Sequence, residues 1–275
     1  MSISWFRYAQ DVYGQDTLLG ASWDLIQVFA AAGAAFIVLH LIFKLVVRGD
    51  KPAVTVTGDP NARLVRHHLI DRIYHWVMAC SVLTLLVTAF APRLGWNFEW
   101  VTTHWIAGVI LSLLVIYHIV RAIGWQDVWA MFPALADISA SCRAVGRMLS
   151  RNGPAAGLPG KYTLLQKLYH WGIAGLVLTL IATGALMLSK IDSPFWQRNP
   201  YWLSEDNWGI VYTVHDFCAL IVLPFVMIHV YFGLRPEKLW ILRSMILGRI
   251  TRGEYLANHD AKRWAVSKQA NGSER

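Results

Sequence analysis

The 275 residues read as an all-α, polytopic membrane protein: five transmembrane helices, four of them a bundle made of a repeated two-helix unit, and one extra helix ahead of them. Three observations predict this. First, 56% of residues are hydrophobic and 15% charged, with 14 Trp and a mean hydropathy of +0.40; a water-soluble domain carries more charge. Second, five apolar runs each reach the roughly 20 residues needed to cross a hydrocarbon core of about 30 Å. Third, histidines recur inside those runs at a fixed spacing, and the order of the motifs repeats.

In chain order, residues 1–22 are polar with interspersed aromatics and lack the basic start of a secretory signal. The first span, Trp23 to Val47, ends in Lys44, Arg48 and Lys51 and leads into a polar loop over 48–69 with Pro52, Gly58, Pro60, Arg63 and Arg66. Span two covers about Ile70 to Ala91, and span three runs from Val101 to Ile123 after a short turn with Pro92 and Gly95. A long connection, Gly124 to Leu164, begins with apolar residues at helical spacing and ends in arginines, the pattern of a helix lying in the membrane interface. Span four is Leu165 to Leu188 and span five about Gly209 to Leu234. The basic tail from Arg235 reads as helical to about Tyr255. The resulting division is an N-terminal segment (1–69), a four-helix core (70–234) and a tail (235–275).

Net charge is +8, but the basic residues lie between apolar runs rather than on one patch, which argues against a nucleic-acid partner. They set topology instead. Arg143, Arg147, Arg151, Arg235, Lys238, Arg243, Arg249 and Arg252 fall on one side; Arg7, Arg93, Lys190 and Arg198 fall on the other, offset by Asp192, Glu205 and Asp206. The N-terminus is expected outside, periplasmic in a bacterial inner membrane, and the C-terminus in the cytoplasm. Cys80, Cys142 and Cys218 form no CxxCH or CxxC, so covalent haem and a cysteine cluster are not expected.

The chemistry resides in the histidines. His104 and His118 are fourteen residues apart in span three, and so are His215 and His229 in span five. Fourteen steps return a helix to within about 40° of the same face, about 21 Å further along. Each of these helices follows one that opens with YHW, at His75 and His170. Ionisable groups inside a span are costly and are functional candidates. Imidazole is a common axial ligand of haem iron, and bis-histidine ligation suits electron transfer. The repeat allows a pseudo-two-fold axis that pairs His104 with His215, His75 with His229, and His170 with His118. Two b haems, or three by symmetry, follow. His40 in span one reads as an interfacial hydrogen bonder, and Trp76 and Trp171 as belt residues.

From about Leu64 to Trp264 the chain resembles the cytochrome b (gamma) subunits of membrane-bound formate dehydrogenases, and more broadly those of nickel–iron hydrogenases and thiosulfate reductases. The phrases that carry this are DRIYHW, THWIAG, GKYTLLQKLYHW, VHDFCALIVLPFVMIHVYFG and MILGRITRGEYLANHDAKRW. The resemblance implies one haem on His104 and His215 and another on His75 and His229. It also implies an iron–sulfur partner with a molybdenum, tungsten or nickel–iron catalytic subunit, and quinone near the cytoplasmic haem. The chain departs from that pattern in its extra first span and in His118 and His170; His118 with His229 would reproduce the two-helix scheme of bc-complex cytochrome b. Two rivals differ in kind. A free-standing b561-type cytochrome would pass electrons from a small donor to quinone without partner subunits. A divalent-metal transporter would want carboxylates beside its histidines, and only Asp71 and Asp216, near span ends, come close.

Overall fold

The computed structural model describes residues 4–46, 58–149 and 157–264. Five helices are long and apolar enough to cross a membrane. They are α1 (Leu25–Val46), α2 (Leu69–Phe90), α3 (Trp100–Trp125), α5 (Leu164–Leu188) and α6 (Glu205–Leu234), with the shorter α4 (Leu135–Leu149) in the long connection. The span ends fall within a few residues of those read from hydropathy, because an uninterrupted apolar run has few other ways to satisfy its backbone in lipid. Val47, Arg48, Lys51, Pro52, Arg151 and the side chain of Arg147 lie outside the described residues.

Two features correct the sequence reading. Residues ahead of α1 form an antiparallel hairpin, β1 (Phe6–Gln10) with β2 (Asp16–Ala21), turning at Gly14 in the left-handed region. The tail is not one helix to Tyr255. Helix α7 (Leu239–Leu247) stops at Gly248 (φ +79°), β4 (Arg249–Thr251) pairs with β3 (Arg63–Val65), and α8 (Arg252–Asn258) restarts from a Thr251–Glu254 capping box. A Cβ on Gly248 would stand 2.8 Å from the His67 carbonyl oxygen, so this turn needs glycine for space as well as for φ.

The chain forms two compact units. One comprises residues 1–38, 77–119 and 172–229. In it the hairpin lies on α6: a Cβ on Gly209 would be 2.4 Å from the Leu18 oxygen, and Trp5 and Phe6 pack on Phe217. Ala21, Leu25 and Leu220 form the buried core there. Helix α1 meets α6 at Gly33, whose absent Cβ would touch Met227 Sδ at 3.0 Å and Pro224 at 3.1 Å. The other unit comprises 39–76, 120–171 and 230–275 and is tied by polar contacts. The Arg66 guanidinium lies over the rings of Trp240 and Trp264, its Nε donating to His67 Nε2 and its Nη1 standing 3.4 Å from His259 Nε2. Asp137, in α4, takes Lys167 Nζ at 2.7 Å and Arg263 Nη2 at 2.5 Å.

Candidate functional site

In the first unit the structure brings His104 of α3 and His215 of α6 together, one ring edge-on to the other. Their ring centroids are 6.4 Å apart and their planes 63° apart. Each ring is held from behind by a threonine of a neighbouring helix. His104 Nδ1 is 2.8 Å from Thr88 Oγ1 on α2, and His215 Nδ1 is 2.8 Å from Thr183 Oγ1 on α5. Both hydroxyls are committed as donors, Thr88 to the Thr84 carbonyl and Thr183 to the Thr179 carbonyl, each at 2.7 Å. The hydroxyl oxygens can therefore only accept, which puts the imidazole proton on Nδ1 and leaves the Nε2 lone pair for a ligand bond.

This geometry fits an iron held between two imidazoles. A metal–nitrogen bond of about 2 Å on each side, with a further ~1 Å from each nitrogen to its ring centroid, separates the centroids by about 6 Å. Gly184, next to Thr183, lies against the same ring, where a Cβ would stand in ordinary contact with His215 Cε1 at 3.5 Å. The residue after His215 fixes the helix from the other side. Asp216 Oδ2 accepts from the Ala21 backbone N–H at 3.1 Å and pairs with Arg7 at 3.5 Å, and Arg7 Nε donates to the Ala21 carbonyl. Arg7 and Arg93 both place their guanidinium carbons over the Trp23 ring, at 4.7 and 4.0 Å.

The remaining candidates divide between the units. His118 and His229 belong to the same unit as His104 and His215, whereas His75 and His170 belong to the other. Each of those two lies edge-on to the indole that follows it, His75 to Trp76 at 5.3 Å and His170 to Trp171 at 5.8 Å. The indoles are anchored alike: Trp76 Nε1 donates to the Met245 carbonyl and Trp171 Nε1 to the Met131 carbonyl. His40 hydrogen-bonds Tyr231 through Nδ1 at 2.8 Å, and Arg235 lies 3.3 Å from its Nε2. Asp71 pairs with Arg121 at 2.9 Å, so both intramembrane carboxylates face arginines, and among the described residues no three His, Cys, Asp or Glu side chains group as a metal site.

Thr88 and Thr183 escaped the sequence reading, though a signal was present. Each lies thirteen residues after the YHW histidine of its own helix. The two-helix repeat thus carries its orienting hydroxyl as faithfully as its imidazoles.

Residues 66–248 match the family model described as prokaryotic cytochrome b561. The chain is also similar to a protein of Haemophilus influenzae described as the cytochrome b556 subunit of formate dehydrogenase, with 25% identity over 211 residues that cover 72% of this chain and 80% of the relative. The hairpin and α1 precede the matched region. With more than half its length matched, and with five membrane-crossing helices and the paired imidazoles in place, this chain belongs to the prokaryotic cytochrome b561 family.

Proposed function

We propose that this protein is the membrane cytochrome of an oxidoreductase, moving electrons between a partner subunit and quinone through two b haems. One haem would be held by His104 and His215. The other would be held by His75 and His229, with His118 and His170 as the pair for a third haem if the repeat keeps its symmetry. A haem held between two imidazoles would supply a reversible one-electron couple. The protein's own part is orientation: Thr88 and Thr183 hold the Nδ1 protons, make the ligating nitrogens more basic and prevent ring rotation. Asp216, clamped by the hairpin, fixes the turn of α6 that presents His215. No nucleophile or acid–base pair stands near the paired rings among the described residues, so substrate chemistry is assigned to the partner, an iron–sulfur subunit with its molybdenum, tungsten or nickel–iron catalytic subunit. The relative's name supports a formate dehydrogenase-like partner. Inner-membrane placement with the N-terminus periplasmic rests on the distribution of Lys and Arg.

The observation that carries this reading is the His104–His215 pair with its two threonine anchors. The test is a pyridine haemochrome assay with a redox titration on the purified protein and on His104→Ala and His215→Ala. Two b haems per chain, with the same one lost in either variant, are expected; a chain that binds no haem overturns the reading. The family description favours a second reading, a free-standing cytochrome fed by a small donor. Co-purification of iron–sulfur and catalytic subunits from the native membrane decides against it, and a chain that purifies alone and is reduced by a small donor decides for it.

A further inference from the structure

The second unit contains a cleft of about 300 Å³ lined by Lys161, Lys167, Arg263, Asp127, Trp129 and Tyr162. We propose that it binds the phosphate headgroup of an anionic phospholipid. The charges in and behind the cleft are three cations and two carboxylates. Lys167 and Arg263 share Asp137, which is 4% exposed and sits behind them. Asp127 is occupied in accepting from the Ala130 N–H. One positive charge is left over, matching the single negative charge of a phosphodiester. Lys161, half-buried in the lining, carries it, with its Nζ 5.3 Å from the Tyr162 ring centroid.

A second observation identifies the ligand as a lipid. Apolar side chains in the same segments are turned outward: Leu165 and Leu168 in the first turns of α5 are 78% and 52% exposed, Leu135 at the start of α4 is 84% exposed, and Trp129 is 77% exposed. Helix α5 is one of the membrane-crossing helices, so its first turns mark the edge of the hydrocarbon layer. Acyl chains cover such leucines, and the headgroup attached to them then reaches the lysines. Trp129 and Tyr162 have the amphipathic rings that occupy this depth. A free anion would account for the cations but not for the outward leucines.

The test uses the purified full chain in phosphatidylcholine nanodiscs, with phosphatidylglycerol added in steps and thermal stability read at each step. Phosphatidylglycerol is expected to raise the melting temperature saturably, and Lys161→Gln to weaken the apparent affinity about fivefold, the effect of removing one lysine near an anionic surface. Lys161→Arg keeps the charge and is expected to keep the affinity. Inorganic phosphate at the same concentration is expected to leave the melting temperature unchanged. The proposal is overturned if Lys161→Gln, monodisperse by gel filtration, responds as the wild type does, or if inorganic phosphate alone gives the same shift.

Discussion

Replacing Thr183 by Val removes a hydroxyl and leaves the shape of the side chain nearly intact. Thr183 is 9% exposed, and its oxygen accepts the Nδ1 proton of His215 at 2.8 Å. Its other bond, to the Thr179 carbonyl, duplicates a helix hydrogen bond and is worth little. The loss therefore falls on the imidazole. A buried N–H left unpaired costs about 1–3 kcal/mol, and deleting the partner of a metal-ligating histidine typically lowers metal affinity about 10–100-fold, or roughly 1.4–2.7 kcal/mol. The two estimates overlap near 2 kcal/mol. Because the hydrogen bond makes the imidazole more basic and favours the ferric state, its removal is expected to raise the midpoint potential of that haem by tens of millivolts, where a tenfold change in relative affinity corresponds to about 59 mV. The assay is an optical redox titration of the purified protein with haem per chain measured alongside. Thr88→Val is expected to shift the same couple in the same direction, and Thr183→Ser to restore it. If both valine variants keep the wild-type potential and haem content while His215→Ala loses a haem, the threonines do not orient the ligands and the argument fails.

Other outcomes follow from single contacts. Gly209→Leu drives a side chain into the Leu18 backbone, which cannot yield as a flexible side chain would, and is expected to lift the hairpin from α6 and speed tryptic cleavage at Arg7. Asp137→Asn leaves Lys167, 6% exposed, with its charge unmatched, and is expected to destabilise the second unit by about 3–5 kcal/mol in thermal or denaturant unfolding. Burial opposes the charge on Asp137, but hydrogen bonds from Lys167 and Arg263 hold its carboxyl down at about 2 against 3.8 unfolded. This stabilisation is present above pH 4 and is lost as pH falls through 2, a change of about 2 kcal/mol that Asp137→Asn abolishes. His259 behaves similarly at a higher pH. Burial, opposed in part by its bond to the Gly160 carbonyl and aided by the nearby Arg66 and Lys238 charges, lowers it to about 4 from 6.5. The unfolded chain binds the proton first, so the tail contacts are expected to loosen as pH falls from 6.5 to 4. Hydrogen exchange of α8 measures this, and His259→Gln is expected to flatten the profile.

The spans and the six repeated histidines were legible in the sequence because both depend on local pattern. Leu-, Ile- and Val-rich runs leave the backbone one solution in lipid, and a fourteen-residue spacing fixes a helix face regardless of what packs against it. The hairpin was not legible. Its strands, FRYAQ and DTLLGA, show no clean alternation, and what fixes them is Asp216 and Gly209 in a helix some two hundred residues later. The end of α7 could have been anticipated at Gly248, since a glycine ahead of the β-prone triplet RIT is a helix stop. The pairing of that triplet with β3 could not, because a two-stranded contact between residues 63 and 251 leaves no local trace.

The internal repeat makes His118 and His229 equivalent in sequence, but the extra first helix makes them different in structure. Pro224 and Met227, five and two residues before His229, are met by α1 at Gly33. The residues at the same places of the repeat in α3 are Leu113 and Ile116, which are 62% and 59% exposed. On the α6 side, a turn beyond His229, Tyr231 and Arg235 hold His40 of that same extra helix. Helix α1 thus packs on the residues just ahead of His229, the histidine the two-haem scheme needs, while the matching positions ahead of His118 are exposed, although His229 itself is exposed and His118 half-buried. His229→Ala is therefore expected to remove one of two haems and His118→Ala to remove none, with haem per chain as the readout. Gly33→Leu, which forces α1 off Met227, is expected to shift the potential of the haem proposed for His229 and to leave the one proposed for His104 and His215 in place. If His118→Ala and His229→Ala each remove a haem, the argument fails: three haems in the wild-type chain then mean the symmetric pairing, and two mean that His118 and His229 share one.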